Sequence, residues 1–154
     1  MVLNVGDRAP NFSLPASTGE TVSLSDLVGG KVVLYFYPKD DTPGCIKEAC
    51  GFRDSMVDLG ETNVVVFGVS PDSLESHDKF ISKYGLNFPL LSDEDKSVSI
   101  SYGAWGKKTV YGKQTVGMNR MTFLIDEKGF LAEVWEQVIP EGHAEEVLDA
   151  VRGT

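Results

Sequence analysis

Two uninterrupted apolar runs, Val32-Val33-Leu34-Tyr35-Phe36-Tyr37 and Val64-Val65-Val66-Phe67-Gly68-Val69, constrain what this chain can fold into more than any other feature. β-Branched and aromatic residues without polar alternation are what strands covered on both faces show. Between the runs Ala49, Phe52, Met56 and Leu59 recur at spacings of three, four and three, one apolar face of a helix, with Lys47, Glu48, Arg53 and Asp58 mostly elsewhere. A strand, a helix and a second strand are therefore expected in the first half.

The remaining segments extend the alternation. Asn11-Phe12-Ser13-Leu14 and Thr21-Val22-Ser23-Leu24, joined by a turn at Ser17-Thr18-Gly19, read as a lead-in hairpin. Ser70 suits an N-cap and Pro71 a first helical residue, followed by Leu74, Phe80, Ile81 and Tyr84 and a stop at Gly85. Phe88-Pro89-Leu90-Leu91 reads as a short strand leading to a helix over about 93–102, whose first turn holds Asp93-Glu94-Asp95. Thr122 to Asp126, a turn at Glu127-Lys128-Gly129, and Leu131 to Trp135 read as a strand hairpin. Ala144, Val147, Leu148 and Val151 then mark a helix from Glu141 to Arg152 with Gly153 behind it. This order describes an α/β fold, a central sheet of mixed strand directions with helices on both faces.

Length and composition set the outer bounds. A chain of 154 residues with 42% hydrophobic and 24% charged residues suits a single domain over 1–154 with one core. The formal net charge of -9, without a basic block or basic helix face, argues against nucleic acid and anionic membranes as partners. No apolar run approaches the roughly 18 residues that span a bilayer, and the opening Met1-Val2-Leu3-Asn4-Val5-Gly6-Asp7 lacks the basic and apolar regions of a leader. A cytoplasmic location is expected. Two cysteines are too few for a stapled framework, and in a reducing compartment such a pair is catalytic, redox-active or metal-binding.

Both cysteines follow the first strand. Lys39-Asp40-Asp41-Thr42-Pro43-Gly44 carries the punctuation of a loop, so Cys45 falls where a loop meets a helix, at the carboxyl end of a central strand. Aligned peptide dipoles and unpaired N–H groups at a helix start favour the thiolate, the reactive form of cysteine. Thr42, across the Pro-Gly turn, is near enough to aim its hydroxyl at the sulfur or at what the sulfur attacks, and it also suits a helix cap. Pro38 and Pro43 stiffen the loop. Ideal helix geometry puts the Cα atoms of Cys45 and Cys50 roughly 8–9 Å apart, beyond the ~7 Å a disulfide tolerates. If the pair forms a disulfide, the first turns of the helix must unwind, and Gly51 eases that.

The segment Tyr35-Phe36-Tyr37-Pro38-Lys39-Asp40-Asp41-Thr42-Pro43-Gly44-Cys45, followed by Lys47-Glu48-Ala49-Cys50-Gly51-Phe52-Arg53-Asp54, closely resembles the peroxiredoxins, specifically the bacterioferritin comigratory protein or peroxiredoxin Q subfamily. The resemblance extends to Gly6-Asp7-Arg8-Ala9-Pro10-Asn11-Phe12, Leu90-Leu91-Ser92-Asp93 and Arg120-Met121-Thr122-Phe123-Leu124-Ile125-Asp126. It implies a thioredoxin-like fold and reduction of hydrogen peroxide and organic hydroperoxides with no metal or organic cofactor. Matched position by position, it implies Cys45 as the peroxidatic cysteine and Cys50 as the resolving one. It implies Thr42 and Arg120 as the groups that bind and polarise peroxide, and Pro38 as a shield. It further implies an intramolecular Cys45–Cys50 disulfide that thioredoxin or a similar dithiol reduces. With both cysteines in one segment and no exchanged arm evident, a monomer is expected. Ile46 departs from the threonine common in relatives, which bears on local packing.

Other readings stand beside these. Cys50 also suits an inert helix thiol beside Ala49 and Phe52, and Arg120 an ordinary surface arginine. Glu48 is placed to orient the Arg120 guanidinium across one helix turn. His77 and His143 have no companion ligands at metal spacing and read as surface residues. Trp105 and Trp135 read as packing residues, with Trp105 a candidate for the rim of the site. A protein thiol-disulfide oxidoreductase would share the fold without needing Thr42 or Arg120. A soft-metal module would use Cys45 and Cys50 as ligands.

Overall fold

In the computed structural model, which describes residues 3–110 and 112–154, both apolar runs lie in the middle of a five-stranded sheet. Met1 and Val2, in the opening read as leaderless, lie outside the described residues. The elements are β1 (Ser13–Pro15), β2 (Thr21–Ser23), β3 (Lys31–Phe36), α1 (Pro43–Glu61), β4 (Val64–Ser70), α2 (Leu74–Tyr84) and β5 (Leu90–Ser92). They continue as α3 (Ser97–Ser101), β6 (Trp105–Val110), β7 (Lys113–Met118), β8 (Met121–Ile125), β9 (Leu131–Trp135) and α4 (His143–Arg152). The sheet order is β5-β4-β3-β8-β9. β4 runs parallel to β3 and β5, while β8 is antiparallel to β3 and β9, so the strand directions are mixed as expected.

Alternate residues of β3 feed two cores. Val33 and Tyr35 join Ala49, Phe52 and Leu59 of α1, Phe80 of α2, and Val147 and Val151 of α4 on one face. Val32, Leu34 and Phe36 join Phe12 and Leu14 of the lead-in, Val98 of α3 and Tyr102 on the other. Helices cover both faces unequally, three long ones on the first and the short α3 on the second. Phe52, fully buried, stacks on Tyr35 with ring centroids 4.7 Å apart, and burial of such a side chain contributes roughly 1.5–3 kcal/mol. Gly68 is the reason the Tyr35 ring fits, because a Cβ there would lie 2.8 Å from both that ring and Leu90.

Several boundaries differ from expectation for local reasons. Ser70 ends β4 and does not cap α2. Its hydroxyl donates to Asp72 Oδ2 at 2.7 Å, and the cap falls to Ser73, whose Oγ accepts from the Ser76 N–H. Gly85 does close α2, in the left-handed region at φ 62°. The helix expected over 93–102 shrinks to α3, and Asp93 precedes it instead of forming its first turn. The Asp93 carboxylate accepts from the Ser99 N–H and hydroxyl at 2.7 and 2.6 Å. α4 opens at His143 after Gly142 rather than at Glu141. The β6–β7 hairpin was not anticipated. Among the described residues, no helix is long and apolar enough to cross a membrane.

Candidate active site

β3 delivers the chain to the site. Past Phe36 the Tyr37 N–H still donates to the Val69 carbonyl, and the Pro38–Thr42 loop then turns into α1. Pro43 takes the first helical position, where a missing N–H costs nothing. Thr42 occupies the cap position without capping, contrary to the capping role considered for it. Its hydroxyl donates to the Lys39 carbonyl at 2.8 Å. The amides of Gly44 and Cys45 belong to the first helical turn, where no carbonyl of the helix can reach them. Cys45 itself is 1% exposed.

A residue 75 positions away completes the site. β8 pairs with β3 so that Met121 faces Phe36, which sets Arg120 beside the end of β3 where the loop begins. Arg120 Nη2 lies 3.4 Å from Cys45 Sγ, and Nη1 donates to Glu48 Oε1 at 2.8 Å. Glu48, one turn after Cys45, orients the guanidinium as its position suggested, but it is buried and not on the polar side of the helix where the spacing put it. Burial pushes its carboxyl up to about 7 against the opposing pull of Arg120. Burial works to lower Arg120, but the charges of Glu48 and Cys45 outweigh it and hold the guanidinium above its ordinary value. Glu48 Oε2 is buried without a hydrogen-bond partner among the described residues. Gly44 gives the guanidinium room, since a Cβ there would stand 3.0 Å from Nη2.

Cys50 stands apart from this cluster. It is half-buried on a groove of about 390 Å³ between α1 and the start of α4, beside Asp54, Pro140, Ala144 and Glu145. Both thiols are free, and α1 runs unbroken through them. Pro38, half-buried, follows directly on Tyr37. Thus the fold brings Cys45, Arg120 and Glu48 into contact, keeps Thr42 on the adjoining loop, and leaves Cys50 about one and a half helical turns away.

Both histidines read as surface residues are buried, His77 fully and His143 to 2% exposure. His143 Nε2 meets Thr122 Oγ1 at 2.8 Å and Nδ1 meets Glu146 at 2.9 Å. Burial lowers its pKa, opposed by Glu146. His77 meets Asp40 of the Pro38–Thr42 loop and the Leu91 carbonyl. Asp40, the Leu91 carbonyl and Thr122 come from other elements, which no local spacing reveals, whereas Glu146 lies three residues on in the same helix. Trp105, considered for the rim, opens β6 and packs against the second-face core, with Lys96 Nζ 5.0 Å from its ring centre. Trp135 packs edge-on to His143.

Solved structures with this fold define a class. A cysteine-to-serine variant of peroxiredoxin Q from Xylella fastidiosa matches with a TM-score of 0.92 and 39% identity over 99% of this chain and 98% of that one. Peroxiredoxin Q of Xanthomonas campestris matches with a TM-score of 0.87 and 38% identity over 92% and 90%. The fold is that of the thioredoxin-like peroxiredoxins. Peroxiredoxin Bcp of Bacillus subtilis is 45% identical over 99% of this chain and 97% of its own length. Its Escherichia coli counterpart is 46% identical over 96% and 94%. With residues 5–134 matching the AhpC/TSA family model, the chain belongs to the AhpC/TSA family and is a thiol-dependent peroxidase.

Proposed function

We propose that Cys45 is the attacking sulfur, that Arg120 and Thr42 hold the peroxide, and that Cys50 resolves the product. The observation that carries this is the Arg120 guanidinium, 3.4 Å from the sulfur and braced by Glu48. The Cys45 thiolate attacks one oxygen of a hydroperoxide, the O–O bond breaks, and the departing alkoxide or hydroxide takes a proton to leave as alcohol or water. Arg120 and the free Cys45 amide point donors at the region where that negative charge develops. The Thr42 proton is committed to Lys39, so its hydroxyl offers the peroxide a lone pair and does not polarise the leaving oxygen. Pro38 stiffens the approach and shields it from water.

The sulfenic acid on Cys45 is then attacked by the Cys50 thiol, which releases water and forms the disulfide. Because α1 is intact through both residues, its first turns must unwind for the sulfurs to meet. Two electrons from a thioredoxin-type dithiol restore both thiols. One helix of one chain supplies both sulfurs, so the cycle runs in a single-domain monomer, and its need for a dithiol reductant suits the cytoplasm. A peroxiredoxin-related bacterioferritin comigratory protein of Xanthomonas campestris has been studied for alkyl peroxide reduction, and organic hydroperoxides are proposed as substrates here too. Intact mass after one equivalent of hydrogen peroxide tests the scheme. The parent loses two hydrogens, Cys50→Ser gains one oxygen, and Cys45→Ser shows no fast change. A Cys45→Ser variant that still reacts fast would overturn the assignment.

A further inference from the structure

The loop that presents Cys45 is fastened to α2 by two sets of bonds. In the inner set the buried Asp40 carboxylate accepts from Tyr37 OH at 2.6 Å and Ser76 Oγ at 2.8 Å, and meets His77 Nδ1 at 2.7 Å. Asp40 N–H donates to Asp72 Oδ2, which Ser70 Oγ also reaches. His77 Nε2 lies 2.9 Å from the Leu91 carbonyl, which can only accept, so Nε2 carries a hydrogen and the ring is oriented by β5. In the outer set Asp41 accepts from Lys83 Nζ and Tyr84 OH, each at 2.8 Å. These bonds hold Asp41 in the left-handed region at φ 59°, a conformation a non-glycine residue keeps only when its surroundings impose it. Asp40, Asp72 and His77 lie close enough for a metal cluster, but the Asp40 oxygens and both His77 nitrogens are already engaged within the protein.

We propose that His77, acting through Asp40, is a positioning residue for the Cys45 chemistry: it makes the Pro38–Thr42 loop a fixed hinge and confines the unwinding of α1 to the turns beyond it. The proposal rests on the disulfide scheme above. The first helical turn hangs on this loop through the Ile46 N–H to the Thr42 carbonyl and through Thr42 to Lys39. A loop held against α2 keeps that turn wound and the sulfur in line with Arg120. A loosened loop shifts the population toward the unwound state. The two chemical steps then respond in opposite directions, because attack on peroxide needs the wound helix and disulfide closure needs the unwound one.

The test is single-turnover kinetics of His77→Leu and His77→Asn, reading sulfenic acid formation and disulfide closure separately. Asn keeps a polar amide where Nδ1 stands, able to bond Asp40, whereas Leu keeps none. His77→Leu should slow the peroxide step about tenfold and speed closure severalfold, and His77→Asn should restore most of both. Both steps within twofold of the parent in a folded His77→Leu variant, or both slowed alike, would overturn the proposal. Should His77→Leu not fold, Lys83→Met combined with Tyr84→Phe releases Asp41 from outside the core. The same opposed shifts, about threefold each, are then expected, and unchanged rates count against it. A parent that forms no Cys45–Cys50 disulfide would instead fail the underlying scheme, a result these variants cannot mimic.

Discussion

Cys45 is 1% exposed beneath a guanidinium, whereas Cys50, five residues further along the same helix, is half-buried beside an open groove. The first sulfur is met by the Arg120 guanidinium, set just ahead of β8 and braced by Glu48 of the same helix. The second lies on the helix beside the start of α4 and the loop that precedes it. On the proposed scheme one side-chain type in one element serves two tasks: the guanidinium suits Cys45 to charge development, and openness leaves Cys50 free to travel or to meet a reductant. The strongest way to break the contrast is to remove the guanidinium. Arg120→Met should lower the second-order rate of Cys45 oxidation by roughly 10²- to 10³-fold, the usual cost of losing a preorganised charge donor. Disulfide closure, followed in the same stopped-flow trace, should change by less than about threefold because the leaving group there is water from the sulfenic acid. A rate of oxidation within threefold of the parent would show that Cys45 owes little to its partner.

A smaller perturbation displaces the guanidinium without deleting it. A Cβ at Gly44 would sit 3.0 Å from Arg120 Nη2, so Gly44→Ala must push the side chain by a few tenths of an ångström. Misalignment on that scale should cost about tenfold in the oxidation step. Closure at Cys50 should be unaffected, and equal slowing of both steps would mean that the substitution disturbs the helix itself.

How much of this contrast was legible in the sequence follows from where each part comes from. The strands β3 and β4 announce themselves because both faces are covered, which leaves continuous apolar runs. Cys45 at a loop-to-helix junction is local information, carried by Pro43 and Gly44. Arg120 is different: only the Phe36–Met121 register places it, and no spacing along the chain encodes a contact across 75 residues. Family resemblance supplied that role where periodicity had nothing to offer. Glu48 is legible in part: its spacing sets it off the apolar face, where the structure instead buries it, while its place one turn after Cys45 matches the bond it makes to Arg120. The burial of His77 and His143 is a different matter, because Asp40, the Leu91 carbonyl and Thr122 are all brought in from elsewhere. The β6–β7 hairpin escaped because Lys107 and the run from Lys113 through Val116 are exposed and its two strands show no apolar alternation.

The Cys50 side of the comparison can be sharpened through the helix backbone. Gly51→Ala should fit, since its Cβ would meet the Ala144 Cβ at an ordinary 3.5 Å. Alanine stabilises a helix interior by about 1 kcal/mol over glycine, so if unwinding reaches residue 51, disulfide closure slows about fivefold. Oxidation of Cys45 keeps its rate. Closure at the parent rate would place the boundary of the unwound segment before Gly51.

The smallest effect on rates belongs to Glu48→Gln, and its value lies in pH. The amide can still accept from Arg120 Nη1, so oxidation near pH 7.5 should fall by no more than about threefold, while the stability profile changes shape. Burial raises the Glu48 carboxyl from 4.5 to about 7, because desolvating the carboxylate costs more than Arg120 returns. The folded state therefore binds this proton more tightly than the unfolded chain does. Stability from this group is complete below the unfolded value and is lost as pH rises through the folded one, with a slope of at most about 1.4 kcal/mol per pH unit. Urea midpoints of the parent should accordingly fall relative to those of Glu48→Gln between pH 5 and pH 8. Parallel profiles would mean that Glu48 is charged throughout and that Arg120 fully offsets its burial. In that case the environment of Cys45 differs from that of Cys50 by geometry alone, without a titrating group beneath the guanidinium.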